Sequence, residues 1–596
     1  MDEPHLRALI EQVREGRLPR RSFIQQLVGL GLTAPMASML LMHEGIAQTQ
    51  AALPYKPTKR GGGGTLKLIY WQAAVHLNPH YAGGVKDGEA ARIFYEPLAG
   101  WDSDGNLVPQ LAAEIPSRQN GGLGADGKTV IWKLKRGVTW HDGKPFTADD
   151  VVFTAAYAGD PAAAMITVAR YKDVLVEKID SHTVKVTYPR AVPFWAEVFV
   201  GGPGMILPKH IFEPFMGAKS RENPANTRPV GTGPYKILDF KPGDSLRAVA
   251  FASYHVANQP FFDALEIKGG GDATSAARAV LQTAEYDLAW NLAVEDDILK
   301  RLEASGKGKM VFVPAGDVEW IALNVTDPWT EVDGERASVK SRHPAFSDKA
   351  VRAAMALLID RKGIQEVVFG RSAVATANFL NNPPAYRSPN TAFEFNIDKA
   401  NQLLEAAGWK KGTDGIRAKG PAKLKFVFQT SVSGPRQKCQ AIIKDACGKA
   451  GIELELKGVV ASVYFGGDTA NPDTLDKFWA DMQMLSLTRA QPDPQNFMER
   501  FTSENIAQKA NKWSGRNFPR WSNAEYDATF KASQTELDPV KRAAMIIKLN
   551  DLLVGDGYVL PLSVRPRAVG VANKLVPALS GWDGTTWALG YWYRET

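Results

Sequence analysis

Residues 126–154 read DGKTVIWKLKRGVTWHDGKPFTADDVVFT, and three local signals follow one another in them. From Lys128 to Lys135 apolar and polar side chains alternate, the period of a half-buried β-strand. His141-Asp142-Gly143-Lys144 has turn composition. Thr147 then stands as an N-cap, with Asp149 and Asp150 in the first helical turn, where the helix dipole favours negative charge. Val151, Val152, Ala155 and Ala156 form the stripe expected to be buried. Strand, turn and capped helix in immediate succession argue for an α/β or α+β chain.

The same alternation continues outward. Leu66 to Tyr70 and Thr183 to Tyr188 read as strands, and Gly231-Thr232-Gly233-Pro234-Tyr235 as a tight turn feeding another. Ser347 to Val368 reads as a helix capped by Ser347, Asp398 to Ala407 as one closed by Gly408, and Arg436 to Ala450 as one closed by Gly451. Leu424 to Gln429 and Glu453 to Leu456 are strands, Pro539 to Leu553 a helix, and Tyr558 to Pro561 an extended exit. No solenoid repeat is present.

The chain has 596 residues, 44% hydrophobic and 23% charged, ordinary for a globular protein and too long for one core, so two or three packed units are expected. Its first residues read as an address. Arg20 and Arg21 stand together, Ser22-Phe23-Ile24 follow, an apolar run reaches Met42, and Gly45-Ile46-Ala47 offers small residues at a cut site. This is the order of a bacterial signal peptide of twin-arginine type. Pro19 and Gln25 depart from the usual motif. The run is also near the length of a membrane span, but Gly29, Gly31, Pro35 and the small-residue exit favour a cleaved signal over an anchor. Residues 48–64, with Pro54, Pro57 and four consecutive glycines, read as a flexible tether, so order is expected from Thr65.

Net charge is +7, and because residues 1–47 carry five basic and five acidic side chains, the mature chain keeps it. The charge is scattered, with no basic block of the kind that binds nucleic acid. No second apolar run of about 18 residues occurs. Cys439 and Cys447, on one predicted helix, lie roughly 12 Å apart, beyond the reach of a disulfide. There is no HExxH, Cys/His ligand spacing, GxSxG or P-loop, and Gly269-Gly270-Gly271 lacks the Lys and strand-to-helix setting of a phosphate cradle. The sequence supports neither catalysis nor a metal or cofactor.

Five blocks carry a resemblance: Leu107 to Thr154, Val230 to Ile237 (VGTGPYKI), Phe346 to Ile364 (FSDKAVRAAMALLIDRKGI), Phe395 to Trp409 (FNIDKANQLLEAAGW) and Asp538 to Leu562. In order and content they resemble the peptide/nickel group (family 5) of extracytoplasmic solute-binding proteins of ABC importers. The resemblance implies a two-lobe periplasmic binding protein of type II: lobe I over 65–315 with an extra subdomain at about 107–229, lobe II over 316–562 including two hinge crossings, and 563–596 returning to lobe I. It implies a monomeric, periplasmic, non-enzymatic receptor for a small-molecule or peptide ligand. Its partners would be a membrane ABC permease with its ATPase, and the twin-arginine translocase during export. Trp140-His141-Asp142-Gly143 is, in this family, a structural turn and not a metal cluster.

Peptide-binding members hold the ligand ammonium with an Asp a few residues before an Asp-Pro pair, and the carboxylate with an Arg early in a lobe II helix. Here the pair is Asp493-Pro494, and three residues before it stands Ala490, flanked by Arg489 and Gln491. Asp493 is either a substitute or simply a turn residue before a helix from Gln495. Arg436 occupies the carboxylate-binding place, against the alternative of an exposed first-turn residue. With Arg489 it would suit a carboxylated solute, since guanidinium forks match carboxylates. Trp71, His76, Asn78 and Tyr81 after the first strand, Trp290 and Asn291, and Asn324 after the first crossing complete the expected ligand set. The family default is an oligopeptide or dipeptide; the alternatives are an opine-like carboxylated solute or a ligand-dependent sensory role.

Overall fold

The structure is a computed structural model that describes residues 3–19, 22–23, 26, 53, 55–163, 165–382, 386–466, 471–488, 491–513 and 515–595. Arg20, Arg21 and most of the apolar run after them lie outside the described residues. A helix over Glu3–Arg14 precedes them, and Arg7 pairs with Asp538 at the cap of the helix Pro539–Gly555.

One sheet runs through the molecule. Across it lie Glu453–Val459, Lys425–Ser431, Met482–Leu487, Gly308–Leu323, Val559–Ala572, Leu288–Ala289, Thr65–Tyr70, Ala264–Gly269, Ser245–Ala250 and Tyr235–Lys241, with Val374–Ala375 pairing onto Val559–Ala572. Gly308–Leu323 and Val559–Ala572 are the long members and pair antiparallel with each other. At one end, Val571 and Gly570 meet Leu288 and Ala289; at the other, Val318 to Leu323 meet Leu487 to Met482. The two halves of the sheet are therefore joined through this one pair.

The pair is interrupted midway. Its register runs from Gly308↔Ala572 to Val313↔Arg567 and resumes at Asp317↔Arg565. Pro314, Ala315 and Gly316 oppose only Pro566. Proline has no N–H to donate, so a ladder with one on each strand is broken there and bends.

Side-chain period sets the packing. In the later half, Ile321, Leu323, Met482 and Met484 enter one core, while Trp320, Ala322, Leu485 and Leu487 enter another on the opposite face. Both faces are covered, hence the near-continuous apolar runs. In the earlier half Leu66, Leu68 and Tyr70 pack with Trp132, Trp140 and Phe94, and with Val569, Leu575, Trp582, Leu589 and Trp592 from the chain's end. A separate antiparallel sheet, Thr129–Lys133, Thr183–Thr187 and Leu175–Asp180, belongs to this core.

The opening motif folds as strand Thr129–Lys133, turn and helix Ala148–Gly159. Thr147 Oγ1 accepts from Asp149 N–H at 3.3 Å and Asp150 accepts from Thr147 N–H at 2.9 Å, a reciprocal cap. The buried face is rotated from the expected stripe: Val151 and Ala155 are buried, but Val152 is half-buried and Ala156 exposed, and Phe153, Tyr157 and Ala158 fill the core. The aromatic rings dictate which side turns inward because they bury the largest areas.

His141 has a structural role. Its Nδ1 accepts from Gly231 N–H at 3.1 Å and its Nε2 donates to Gly233 O at 3.0 Å, locking the VGTGPY turn. A Cβ on Gly231 would lie 1.8 Å from Phe94 O, so only glycine fits there.

Two expectations are corrected. The helix expected over Ser347–Val368 ends at Leu357 and restarts at Arg361, and its cap is Asp348, not Ser347. Asp360 accepts from Gly363 N–H at 2.9 Å, and this local capping bond competes with helix continuation. The flexible tether is docked over Tyr55–Gly64. Tyr55 donates to Asn258 O at 2.7 Å and packs edge-on against Tyr591 and Tyr593. Arg60 donates to Tyr254 O at 2.6 Å and Val256 O at 3.1 Å. Gly62 and Gly64 N–H groups donate to Asp263 at 2.8 and 2.9 Å. The glycines serve close approach: a Cβ on Gly63 would lie 2.5 Å from the Phe261 ring.

Burial pushes His141 and His80 down from 6.5 to about 4, so both fold as neutral rings. Between those values the unfolded chain holds the extra protons, so stability is lost as pH falls from 6.5 towards about 4. Each histidine contributes a slope of up to about 1.4 kcal/mol per pH unit. Urea unfolding across this window should show that decline, and His141→Gln should flatten it by one histidine's share.

Candidate functional site

In open α/β sheets ligands bind beyond the carboxyl ends of the strands, where the backbone turns away and leaves a crevice. In the later half the parallel strands Lys425–Ser431 and Glu453–Val459, with Met482–Leu487, all end towards the broken ladder. Past those ends stand Val432, Val460 and Phe465, which are 53%, 62% and 44% exposed. In the earlier half Thr65–Tyr70 and Leu288–Ala289 end at Trp71 and at Trp290-Asn291. The two sets of ends face one another across the crossing strands.

The floor is charged. Glu319, 1% exposed, accepts from Arg436 Nε at 2.6 Å and Nη2 at 3.2 Å and from Arg565 Nη1 at 3.2 Å. Arg436 Nη1 also donates to Ser431 Oγ at 2.6 Å. Burial acts to raise the Glu319 carboxyl, but the charges and hydrogen bonds of the two arginines together outweigh it and hold it below the usual carboxylate range. The carboxylate form of Glu319 is therefore favoured. Glu319 lies on the first crossing strand, Arg565 on the second, and Arg436 in the first turn of the helix Gly434–Lys449.

Contacts between the halves flank this floor. On one side Arg371 Nε pairs with Asp296 at 2.6 Å and its fork also reaches Glu303, while Lys438 pairs with Glu295 at 2.5 Å. On the other, Arg170 donates to Gln491 Oε1 at 3.4 Å and Asn496 donates to Glu197.

The residues expected from sequence fall into distinct environments. Trp71 donates its indole N–H to Asn291 O at 2.9 Å, and Asn291 has an exposed side chain at φ 53°. Trp290 is buried, stacked on Tyr70 at 4.9 Å. Asn78 is fully buried, accepting from His80 N–H and donating to Asn226. His76 accepts from Asn78 N–H at 3.0 Å and meets Tyr81 edge-on; Tyr81 donates to Ala163 O at 2.7 Å. Asn324 donates to Phe478 O and Ala480 O and accepts from Thr326, all within the later half. Asp493 is fully buried against Arg542, at 2.5 and 3.0 Å, and accepts from Gln495 N–H. Arg436 is buried, not an exposed first-turn residue. Arg489 and Ala490 lie outside the described residues. The sequence reading missed Glu319, Arg565, Val432, Val460 and Phe465. The two arginines at alternate positions of Val564-Arg565-Pro566-Arg567, inside an apolar strand, were the available signal.

A shallow pocket opens elsewhere, lined by Arg92, Glu96, Lys135, His255 and Trp587 among others. Its walls all belong to the earlier half and the chain's end. Cys439 and Cys447 are free and buried. Among the described residues no cluster of three or more His, Cys, Asp or Glu could hold a metal, and no helix is long and apolar enough to cross a membrane.

Two sheet halves joined by two strands, with a charged floor between them, define a two-lobed binding protein. A family model, bacterial extracellular solute-binding proteins, family 5, matches residues 106–509, and the chain belongs to that family. The oligopeptide-binding protein AppA of Bacillus subtilis is 28% identical over 528 residues, covering 86% of this chain and 88% of that protein. The glutathione-binding protein GsiB of Escherichia coli O157:H7 is 26% identical over 417 residues, 68% and 74% of the two chains. Among solved structures, NikZ of Campylobacter jejuni in complex with Ni(L-His) superposes with a TM-score of 0.73 at 21% identity, over 89% of this chain and 99% of that one. AppA of Bacillus subtilis with a nonapeptide gives 0.72 at 23%, over 91% and 100%.

Breaking a buried ion pair by removing one partner strands a charge and destabilises by about 3–5 kcal/mol. Asp493→Ala is expected to lower the unfolding free energy by that order, measured by urea denaturation. A variant of unchanged stability but impaired solute binding would return Asp493 to the ligand set.

Proposed function

We propose that the chain is exported by the twin-arginine route on its Arg20-Arg21 signal, is freed by cleavage after Ala47, and works in the periplasm as a monomer. It captures a small polar solute between its lobes and delivers it to a membrane ABC permease. The transporter's ATPase supplies the energy. The observation that carries this reading is the broken ladder at Pro314–Gly316 and Pro566, beside an ionised floor. Two lobes joined by two strands that lack hydrogen bonds at one level rotate about that level, the hinge motion by which such clefts close. In this reading lobe I spans 65–315 and 563–596, and lobe II 316–562.

The solute class is a peptide by analogy with the oligopeptide- and glutathione-binding relatives. Trp71 and Asn291 would contact it from lobe I, and Phe465, Val432 and Val460 from lobe II. A non-peptide carboxylated solute is the second reading. Ala490 at the expected acid position favours it, because no carboxylate there meets a ligand ammonium.

Thermal-shift measurement on residues 48–596 tests both. A solute that binds only the folded state stabilises it by about 2.7 kcal/mol at a hundred times its dissociation constant. Peptides with free N-termini should raise the midpoint under the first reading. A rise with carboxylated non-peptides alone selects the second, and no rise with either class defeats both.

A further inference from the structure

We infer that Arg565, on the second crossing strand, is the residue that receives an anionic group of the solute, with Ser563 as a second donor, while Arg436 is held in reserve by Glu319. This rests on the solute-binding reading and deepens it by naming the charge class.

The two arginines of the floor are not equivalent. Arg436 directs Nε and Nη2 to Glu319 and Nη1 to Ser431, so each of its nitrogens already has a partner. Its side chain is 11% exposed. Arg565 makes one contact among the described residues, Nη1 to Glu319 at 3.2 Å, and is 19% exposed. Its Nε and Nη2 donors are uncommitted. A guanidinium carries five N–H donors in a planar fork, and two of them grip a carboxylate in parallel.

Sheet geometry places Ser563 beside it. Residues two apart on a strand share a face, so Ser563 and Arg565 lie on the face that carries Glu319, which pairs in register with Ser563. Ser563 is 2% exposed and its hydroxyl has no hydrogen-bond partner among the described residues. A buried unpartnered hydroxyl is destabilising, and a solute oxygen reaching the Arg565 fork would offer it an acceptor. Glu319 engages one nitrogen of the fork without saturating it.

Position adds a consequence. Arg565 is next to Pro566, at the level where the ladder is broken. An anion held there touches the connecting strand beside the broken level, so anion recognition occurs where closure bends the chain.

The test uses residues 48–596 and three probes: glutathione, a tripeptide and a nonapeptide, each as free acid and as C-terminal amide (for glutathione, the glycine-end amide). Calorimetry gives the dissociation constants. For wild type, at least one free acid should bind about tenfold to a hundredfold tighter than its amide, the loss expected for one charge-assisted contact. Arg565→Gln should erase that preference while the chain stays folded, because Glu319 keeps Arg436. Arg565→Lys should retain part of it. Equal binding of acid and amide by wild type, or a preference that survives in Arg565→Gln, overturns the assignment while leaving solute binding intact. Binding of none of the probes overturns both the assignment and the peptide reading.

Discussion

The structure depends on one pair of strands. Gly308–Leu323 and Val559–Ala572 are the central members of a sheet that belongs to both lobes. Strand pairing makes the sheet continuous and proline interrupts it, and the two effects meet at Pro314 and Pro566. Without pairing the lobes would be beads on a string. Without the interruption they would form one stiff slab. The strand ends, the cleft between them and its charged floor all take their positions from that level.

Two kinds of buried charge differ in role. Arg542–Asp493 and Arg92–Asp583 are closed pairs with almost no exposure, each also held by backbone groups. Such pairs add little net stability but are harmful to break, so they fix geometry. The first anchors the start of helix Gln495–Glu499, and the second ties the C-terminal segment to Trp101. The Glu319 cluster differs in composition, with two guanidinium groups converging on one carboxylate beside a hydroxyl that has no partner among the described residues. The contrast separates charges that hold the fold from charges turned towards the cleft.

What the sequence disclosed was local. Thr147 with Asp150, the Gly231–Tyr235 turn and the strand from Thr65 are read within a few residues, because capping, close approach and alternation act over that range. The role of His141 was legible as a turn, though not its grip on a loop ninety residues later. The site was less legible. Arg436 was singled out by the family resemblance, but its partner lies 117 residues earlier. Arg565 is 246 residues from Glu319 and was not found. Asp493, Asn78 and Asn324 have side chains suited to a ligand and use them within the protein, since a buried polar group bonds whichever partner the fold provides. The glycine run before Thr65 has linker composition and serves contact instead; composition alone does not distinguish the two.

Lobe I is assembled from both ends of the chain. Strand Thr65–Tyr70 lies inside its sheet, while Trp582, Leu589 and Trp592 fill the same core and Arg594 reaches back to Asp287 at 2.7 Å. During synthesis the first of these leaves the ribosome hundreds of residues before the last. Lobe II, contiguous between the crossings, has its whole core available earlier. The core of lobe I is therefore completed only when translation is nearly over. A core left incomplete during synthesis is exposed to aggregation and to chaperones.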